Sequence, residues 1–346
     1  MRARADSLAR YLAAAYAAVV VYASLYPFAG WRDGGAPILA WLTAGWPRYP
    51  TGFDLATNVA AYVPLGWLAV AAIGRRLRPG AAAALAWACA SLLSFGMESA
   101  QNFLPSRVSS NVDFGCNLLG ALGGCALGLR YRNVLAEGGA IARWRARRFP
   151  DGRLGELGLL LIAVWLLTQL NPENPALGNG SLLRLFGLSA PLAYDGELFF
   201  ALELLIAATG VMGAGLTAWM SLREPSVLLL VAAFIAAAAA KALAWAVLVE
   251  PSAWLAWLTP GARPGLALGA AGLALALWLP RPAQVSLAVL ALLAMTALTN
   301  LAPGNPYLAW AGQGHFLNFN GLTRIASSLW PFLAAAYLLA LPARRR

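Results

Sequence analysis

The sequence predicts an all-α polytopic membrane protein with about ten transmembrane helices and both termini in the cytoplasm. Of the 346 residues, 60% are hydrophobic and only 11% are charged, whereas charged residues make up roughly a quarter of a soluble domain. The mean hydropathy is +0.66. The apolar runs are apolar on all sides and longer than the segments of about ten alternating residues that build a β-barrel. Helices that cross a bilayer are therefore expected.

Ten apolar runs are bounded by proline, glycine or clusters of charge, and each predicts one span. The predicted spans are 8–25, 54–73, 80–95, 113–129, 154–170, 197–220, 226–249, 264–279, 283–301 and 325–341. The first run has basic flanks like those of a signal peptide, but it is longer than an h-region and no small-residue cleavage site follows. We therefore predict that it is a retained helix.

The arginines alternate between successive connections, as the excess of Lys and Arg in short cytoplasmic loops requires. They cluster at both termini and after the second and fourth spans, so both termini are predicted in the cytoplasm. This topology and anionic lipid headgroups account for the net charge of +11, and nucleic acid is not an expected partner. We predict a four-helix membrane domain (1–135), a basic cytoplasmic linker (136–153) and a six-helix membrane region (154–346).

One stretch, residues 97–120, gathers rare polar residues between two apolar runs on the predicted extracytoplasmic side. Glu98 and Gln101 are three residues apart and share a helical face, and Asp113 and Asn117, four apart, share another. Arg107 lies in the loop between them. Converging charges of this kind in a membrane protein indicate a functional site.

An earlier stretch repeats part of this pattern, because Thr51, Asp54 and Asn58 have the spacing of Ser110, Asp113 and Asn117. Both helices run inward from the same surface, so the two Asp/Asn pairs are expected at equal depth. The predicted substrate-binding residues are therefore Asp54, Asn58, Glu98, Gln101, Arg107, Asp113 and Asn117. In a second interpretation the acids only cap helices, and the asparagines only form interhelical hydrogen bonds.

The same residues resemble the VanZ-like family of bacterial membrane proteins. The resemblance rests on "SLYP" at 24–27, on Asp54, Asn58, Pro64 and Gly66, and on the spaced run from Glu98 to Gly124, and it covers roughly residues 8–129. The family is named for a protein linked to low-level resistance to the glycopeptide teicoplanin and has no agreed biochemical activity, so the resemblance implies an envelope role. Some relatives carry His where Asn58 stands here, so a mechanism that needs an imidazole there is not expected.

The second half offers secondary candidates for substrate binding: Glu203, Lys241, His315 and Arg324. Glu203 and Lys241 are charges within predicted neighbouring spans, where they either pair with each other or form a proton or substrate relay. Two similar segments, 167–177 and 298–308, each close a span, so a helix-pair repeat through the chain is an alternative organisation. Prolines and asparagines at helix ends also recur for local stereochemical reasons.

Familiar cofactor chemistry has no support in the sequence. One histidine and three cysteines without ligand spacing argue against a zinc site. Nucleotide-binding loops and the usual hydrolase motifs do not occur. We therefore predict neither a metal nor a cofactor.

Three function classes remain. The first is the binding or transport of an amphipathic or lipid-linked envelope molecule, with Arg107 holding an anionic headgroup. The second is an enzyme of the outer leaflet with Glu98 or Asp113 as acid–base and Arg107 as the stabiliser of negative charge, which makes these three the catalytic candidates. The third is a structural partner of an envelope assembly machine. The expected partners are membrane lipids, a lipid-linked glycan or glycopeptide-related ligand, and envelope proteins, at the bacterial cytoplasmic membrane.

Overall fold

The computed structural model describes residues 5–26, 28–33, 35, 37–45, 52–73, 77–131, 134, 139–309 and 319–341, and within them it is helical without a β-strand. The helices are α1 (Ala5–Leu25), α2 (Gly52–Ile73), α3 (Pro79–Gln101), α4 (Asn111–Tyr131), α5 (Ala140–Arg148), α6 (Arg153–Thr168), α7 (Leu182–Leu185), α8 (Gly196–Ser221), α9 (Val227–Leu248), α10 (Ala262–Ala276), α11 (Arg281–Leu301), α12 (Pro306–Ala309) and α13 (Phe319–Ala340). Each of the ten predicted spans overlaps one of them, so the all-helical prediction is confirmed.

Seven helices among the described residues are long and apolar enough to cross a membrane: α2, α3, α4, α8, α9, α11 and α13. The apolar parts of α1 (Ala9–Leu25) and α10 (Ala262–Ala276) are shorter, and α6 has 16 residues. The chain is thus a multi-pass membrane protein by helix length and composition. The count of ten spans and the cytoplasmic position of the termini stay predictions.

The described residues form two compact units, Met1–Arg145 and Ala146–Arg346. The division falls inside the predicted basic linker 136–153. Helix α5 lies across this division, and none of its residues is buried. We call the two parts unit 1 and unit 2.

Glycines set the close approach of α2 and α4 in unit 1. A methyl group on Gly120 or Gly124 would overlap the backbone carbonyl of Val59 or Val63, respectively, in α2. Gly123, on another face of α4, has open space around it. Gly120 and Gly124 therefore permit this contact, since small residues let membrane helices meet backbone to backbone.

All four long helices of unit 1 share one apolar core. Its buried residues are Val20 from α1, Tyr62 and Leu65 from α2, Ala90 from α3 and Ala121 from α4. This core fixes the ends of α1, α3 and α4 relative to one another, and those ends carry most of the predicted site residues.

Unit 2 is built around α8, which spans 26 residues and is buried along most of its length. Gly265 and Gly269 of α10 lie directly against the backbone of Leu204 and Ala208 in α8. Helix α11 packs on α8 as well, with Leu292 against Gly213. Close helix packing through small residues thus recurs in this unit.

The connection from α6 to α7 is unusual because it is both polar and buried. Gln169 and Asn171 are completely inaccessible to solvent, and Asn174, Asn179 and Ser181 are also buried. Backbone that leaves a helix at membrane depth is tolerated only where protein groups satisfy its polar atoms. Side chains that form hydrogen bonds with the backbone of this connection therefore have a structural role.

Candidate functional site

Helix α4 begins at a cap that is shared with α3. The Ser110 hydroxyl oxygen accepts hydrogen bonds from the backbone N–H groups of Val112 and Asp113 at 3.2 and 3.3 Å. In a capping box, the acid at the position of Asp113 would accept the Ser110 N–H. Here Glu98 of α3 accepts it, with 2.9 Å between the Ser110 nitrogen and Glu98 Oε2. Glu98 is only 4% exposed, and its carboxylate lies where the dipole of α4 stabilises negative charge.

The Asp113 carboxyl is therefore directed to α2 rather than to its own helix cap. It accepts a hydrogen bond from the Asn58 side chain and interacts electrostatically with Asp54 and Glu98. Three helices thus bring four of the predicted site residues together. Within the described residues, no group of three His, Cys, Asp or Glu side chains is arranged to hold a metal ion.

Asn117 lies one turn deeper and joins α4 to α3. Its Nδ2 donates to Ser94 Oγ at 3.0 Å, and both side chains are buried. The Tyr62 hydroxyl of α2 forms a second hydrogen bond with Ser94. This is the interhelical hydrogen bonding that was the alternative interpretation of Asn117.

Arg107 lies at the end of α1 and not among the carboxylates. Its Nη2 donates to the carbonyl oxygens of Tyr26 at 2.7 Å and Ala23 at 3.2 Å, and Gln101 Nε2 donates to the Ser24 carbonyl at 2.9 Å. In the part of the chain that the structure describes, Arg107 forms no ion pair. Burial lowers the pKa of its guanidinium below the ordinary value. A cation at a helix C-terminus satisfies free carbonyls and stabilises the helix dipole.

The predicted single site is thus divided between two places in unit 1. The acids and Asn58 meet at the start of α4, whereas Gln101 and Arg107 meet at the end of α1. The expected convergence of the carboxylates around Arg107 does not occur, because the arginine donates to backbone carbonyls instead.

A cavity of about 320 Å³ adjoins Arg107 and Gln101. Trp41 and Ala44 line it from the segment between α1 and α2, and Ser109 lines it from the segment between α3 and α4. Trp41 Nε1, Arg107 Nε and Ser109 Oγ are buried donors without a hydrogen-bond partner within the described residues. Each such donor costs about 1–3 kcal/mol. Because all three residues line the cavity, a ligand with acceptor oxygens there is a candidate partner for these donors.

Aromatic packing and one asparagine hold the Trp41 wall of this cavity. The Trp41 ring contacts Phe95 and Phe114 with centroid distances of 5.6 and 5.5 Å. Asn111 Nδ2 donates to the Ala44 carbonyl at 2.8 Å. Trp41 and Ser109 were not among the site residues predicted from the sequence. The signal that could have indicated Trp41 is the apolar, tryptophan-containing segment between the first two predicted spans, which is too short to cross a bilayer.

In unit 2, Glu203 and Lys241 have different partners. Lys241 is completely inaccessible to solvent, and its Nζ donates to the backbone carbonyls of Asn171 and Asn174, both at 2.8 Å. Glu203 interacts with Thr259 and the Gly261 backbone. The ion pair that was one interpretation of these two residues does not form, because Lys241 holds the end of α6 in place.

Arg324 pairs with Glu173, which was not among the predicted site residues. Its Nη2 donates to both carboxylate oxygens of Glu173 at 2.8 Å. Arg184 interacts electrostatically with both residues and donates to the Pro303 carbonyl at 3.3 Å. His315, the remaining secondary candidate, lies outside the described residues, as does Thr51.

Comparison with known proteins matches one segment to a family. Residues 8–132 match the family model described as VanZ/LLP1. This confirms the resemblance predicted for roughly residues 8–129 and places it in unit 1. Searches of curated proteins and of solved structures gave no match.

Proposed function

We propose that the VanZ-like unit 1 binds the acceptor-rich head of an amphipathic envelope molecule in the cavity beside Arg107. The observation that carries this proposal is the set of three buried, unpartnered donors on Trp41, Arg107 and Ser109. A phosphate or a glycan supplies several acceptor oxygens at once, and charge-assisted hydrogen bonds to arginine are the strongest of this kind.

The walls of the cavity suit a molecule with both polar and apolar parts. Val108 and Ala44 add aliphatic surface beside the Trp41 ring, while Gln101 and Arg107 add amide and guanidinium groups. Aromatic faces and a few directed polar groups are typical of small-molecule sites. A lipid-linked glycan or a phosphate-headed lipid fits this description better than a free sugar, because α2, α3 and α4 of this unit are apolar enough to span a membrane.

The family match and the predicted topology support the following cellular setting. We place the cavity on the extracytoplasmic side of the bacterial cytoplasmic membrane, where lipid-linked envelope precursors are handled. Sequestering or moving such a molecule would change teicoplanin susceptibility, the trait for which the family is named.

Binding is favoured over catalysis by the position of Arg107. The enzyme alternative requires this guanidinium beside Glu98 or Asp113, where it would stabilise negative charge during a reaction. Its hydrogen bonds to Tyr26 and Ala23 direct it elsewhere. Glu98, in turn, is committed to the Ser110 N–H. These contacts support a structural role for the acids and a ligand role for the cavity.

The test measures adducts of the purified full chain by native mass spectrometry. A polyprenyl phosphate is titrated against the protein, with the corresponding neutral polyprenol as the control ligand. Trp41→Phe and Ser109→Ala each remove one donor, so each is expected to weaken phosphate binding about fivefold. Trp67→Phe is the matched control, because Trp67 Nε1 is also buried without a partner but Trp67 does not line the cavity.

The same variants are then compared for teicoplanin susceptibility at equal membrane levels of the protein. Trp41→Phe is expected to shift susceptibility and Trp67→Phe to leave it unchanged. Equal binding of the polyprenyl phosphate and the polyprenol, or equal effects of the two tryptophan variants, would overturn the proposal.

A further inference from the structure

An apolar groove of about 460 Å³ separates α9 from α10 in unit 2. Val231 and Phe234 line it from α9, Ala270 and Leu273 line it from α10, and Leu177 and Trp257 lie at one end. All residues that form its wall are hydrophobic. Because α9 is apolar enough to span a membrane, the medium outside this groove is lipid hydrocarbon.

The Trp257 end of the groove carries a hydrogen-bond donor and a cation. Trp257 is 7% exposed, and its Nε1 has no hydrogen-bond partner within the described residues. Arg263 lies three residues before Leu266, which lines the groove, so the two share a face of α10. The Arg263 Nε donates to the Leu258 carbonyl at 2.9 Å, which ties the guanidinium to the residue that follows Trp257 in the chain.

The backbone at this end is held in an uncommon conformation. Leu177 has a φ of 53°, in the left-handed region that non-glycine residues rarely adopt. Its side chain is nevertheless buried and lines the groove. The polar connection after α6 thus contributes an aliphatic side chain to the wall of the groove.

We infer that this groove binds one acyl chain of an anionic phospholipid from the surrounding bilayer, with the lipid headgroup at Trp257 and Arg263. The acyl chain matches the wholly apolar wall, and an ester or phosphate oxygen accepts the Trp257 N–H, which has no hydrogen-bond partner within the described residues. The guanidinium provides charge complementarity to a phosphate that carries a net negative charge. This site is formed by unit 2 alone and is independent of the cavity proposed in unit 1.

The experiment uses the full chain in nanodiscs that contain equal amounts of phosphatidylglycerol and phosphatidylethanolamine, followed by native mass spectrometry of retained lipid. The intact protein is expected to retain one phosphatidylglycerol. Ala274→Phe fills the groove, whereas Ala271→Phe adds the same ring to an exposed alanine of α10 that does not line it. Retention is expected to fall about tenfold in the first variant and to stay unchanged in the second.

Two milder variants separate the head contacts from folding. Trp257→Phe removes one N–H and is expected to lower retention about fivefold, and Arg263→Gln is expected to abolish the preference for phosphatidylglycerol over phosphatidylethanolamine. Thermal unfolding of each variant is measured in the same nanodiscs to verify that it folds. Equal lipid loss in Ala274→Phe and Ala271→Phe would overturn the inference. So would retention of an isoprenoid lipid or of a second copy of the chain in place of the phospholipid.

Discussion

Substitutions of Glu98 distinguish most sharply between a structural and a catalytic role for this acid. The perturbation is a pair of substitutions, Glu98→Gln and Glu98→Ala. Glutamine keeps an oxygen acceptor for the Ser110 N–H, which lies 2.9 Å from Glu98 Oε2, and removes only the charge. Alanine removes the acceptor and leaves that N–H buried.

The magnitudes follow from these contacts. Without its acceptor, the buried Ser110 N–H costs about 1–3 kcal/mol, and the lost buried methylene adds about 0.8 kcal/mol. Glu98→Ala is therefore expected to lower the free energy of unfolding by about 2–4 kcal/mol. Glu98→Gln loses at most the interaction of the carboxylate with the α4 dipole, about 1 kcal/mol or less.

The assay is SDS-induced unfolding of the purified protein in mixed micelles, paired with teicoplanin susceptibility at equal membrane levels. Glu197→Ala is the control, because Glu197 is exposed in the first turn of α8 and its loss is expected to change stability by less than about 0.5 kcal/mol. If Glu98 has a structural role, the Glu98→Gln protein is expected to be as stable as the unchanged protein. It is also expected to confer the same teicoplanin susceptibility as the unchanged protein. If Glu98→Gln is as unstable as Glu98→Ala, the capping argument is refuted. If it is stable but without effect on susceptibility, the catalytic alternative gains.

Three further predictions use the same unfolding assay. Gly124→Ala is expected to destabilise unit 1 by about 1–3 kcal/mol through overlap with the α2 backbone, and Gly123→Ala, in open space, to be neutral or slightly stabilising; similar losses would contradict the packing argument. Glu173→Gln is expected to cost about 1 kcal/mol or less, since its ion pair is partly exposed, and the loss should shrink in high salt, unlike a packing defect. Arg107→Gln is expected to cost about 1–2 kcal/mol by freeing two carbonyls, with Arg107→Lys intermediate; full stability in both variants would exclude the helix-capping role.

The helices were predictable because the membrane imposes their length and composition. Apolar runs bounded by proline, glycine and charge predicted the position of every long helix. The spacing of Asp54 and Asn58 against Asp113 and Asn117 also indicated that α2 and α4 place their acids near one another. These features depend on local periodicity, which sequence carries directly.

The cavity was not predictable, because it depends on contacts between segments that are distant in the chain. Trp41 lies in a connection with no spanning signal, and Ser109 looks like an ordinary loop residue. Only the fold brings them to Arg107. The partners of Arg107, the backbone carbonyls of Tyr26 and Ala23, were not predicted for a related reason. Every residue has a backbone carbonyl, so the amino-acid sequence does not show which one accepts a hydrogen bond.

The same limit explains why Arg107 and Lys241 resemble ligand-binding residues although each donates to backbone carbonyls. The segments that close α1, α6 and α11 each contain a leucine, one further residue and a proline, at 25–27, 170–172 and 301–303. Helices α1 and α11 end at this leucine, and α6 ends two residues before it. Proline has no N–H to continue the ladder, so carbonyls at each helix end lack a backbone donor. In every case a cation from a distant element donates to a carbonyl at that end: Arg107 to Tyr26, Lys241 to Asn171, and Arg184 to Pro303. Lipid offers no water to these carbonyls. For a charged residue in such a chain, the first hypothesis to test is therefore that it donates to a carbonyl at the end of a helix that a proline follows. A ligand role is then sought in the donors that remain unpaired, which in unit 1 include those of the cavity.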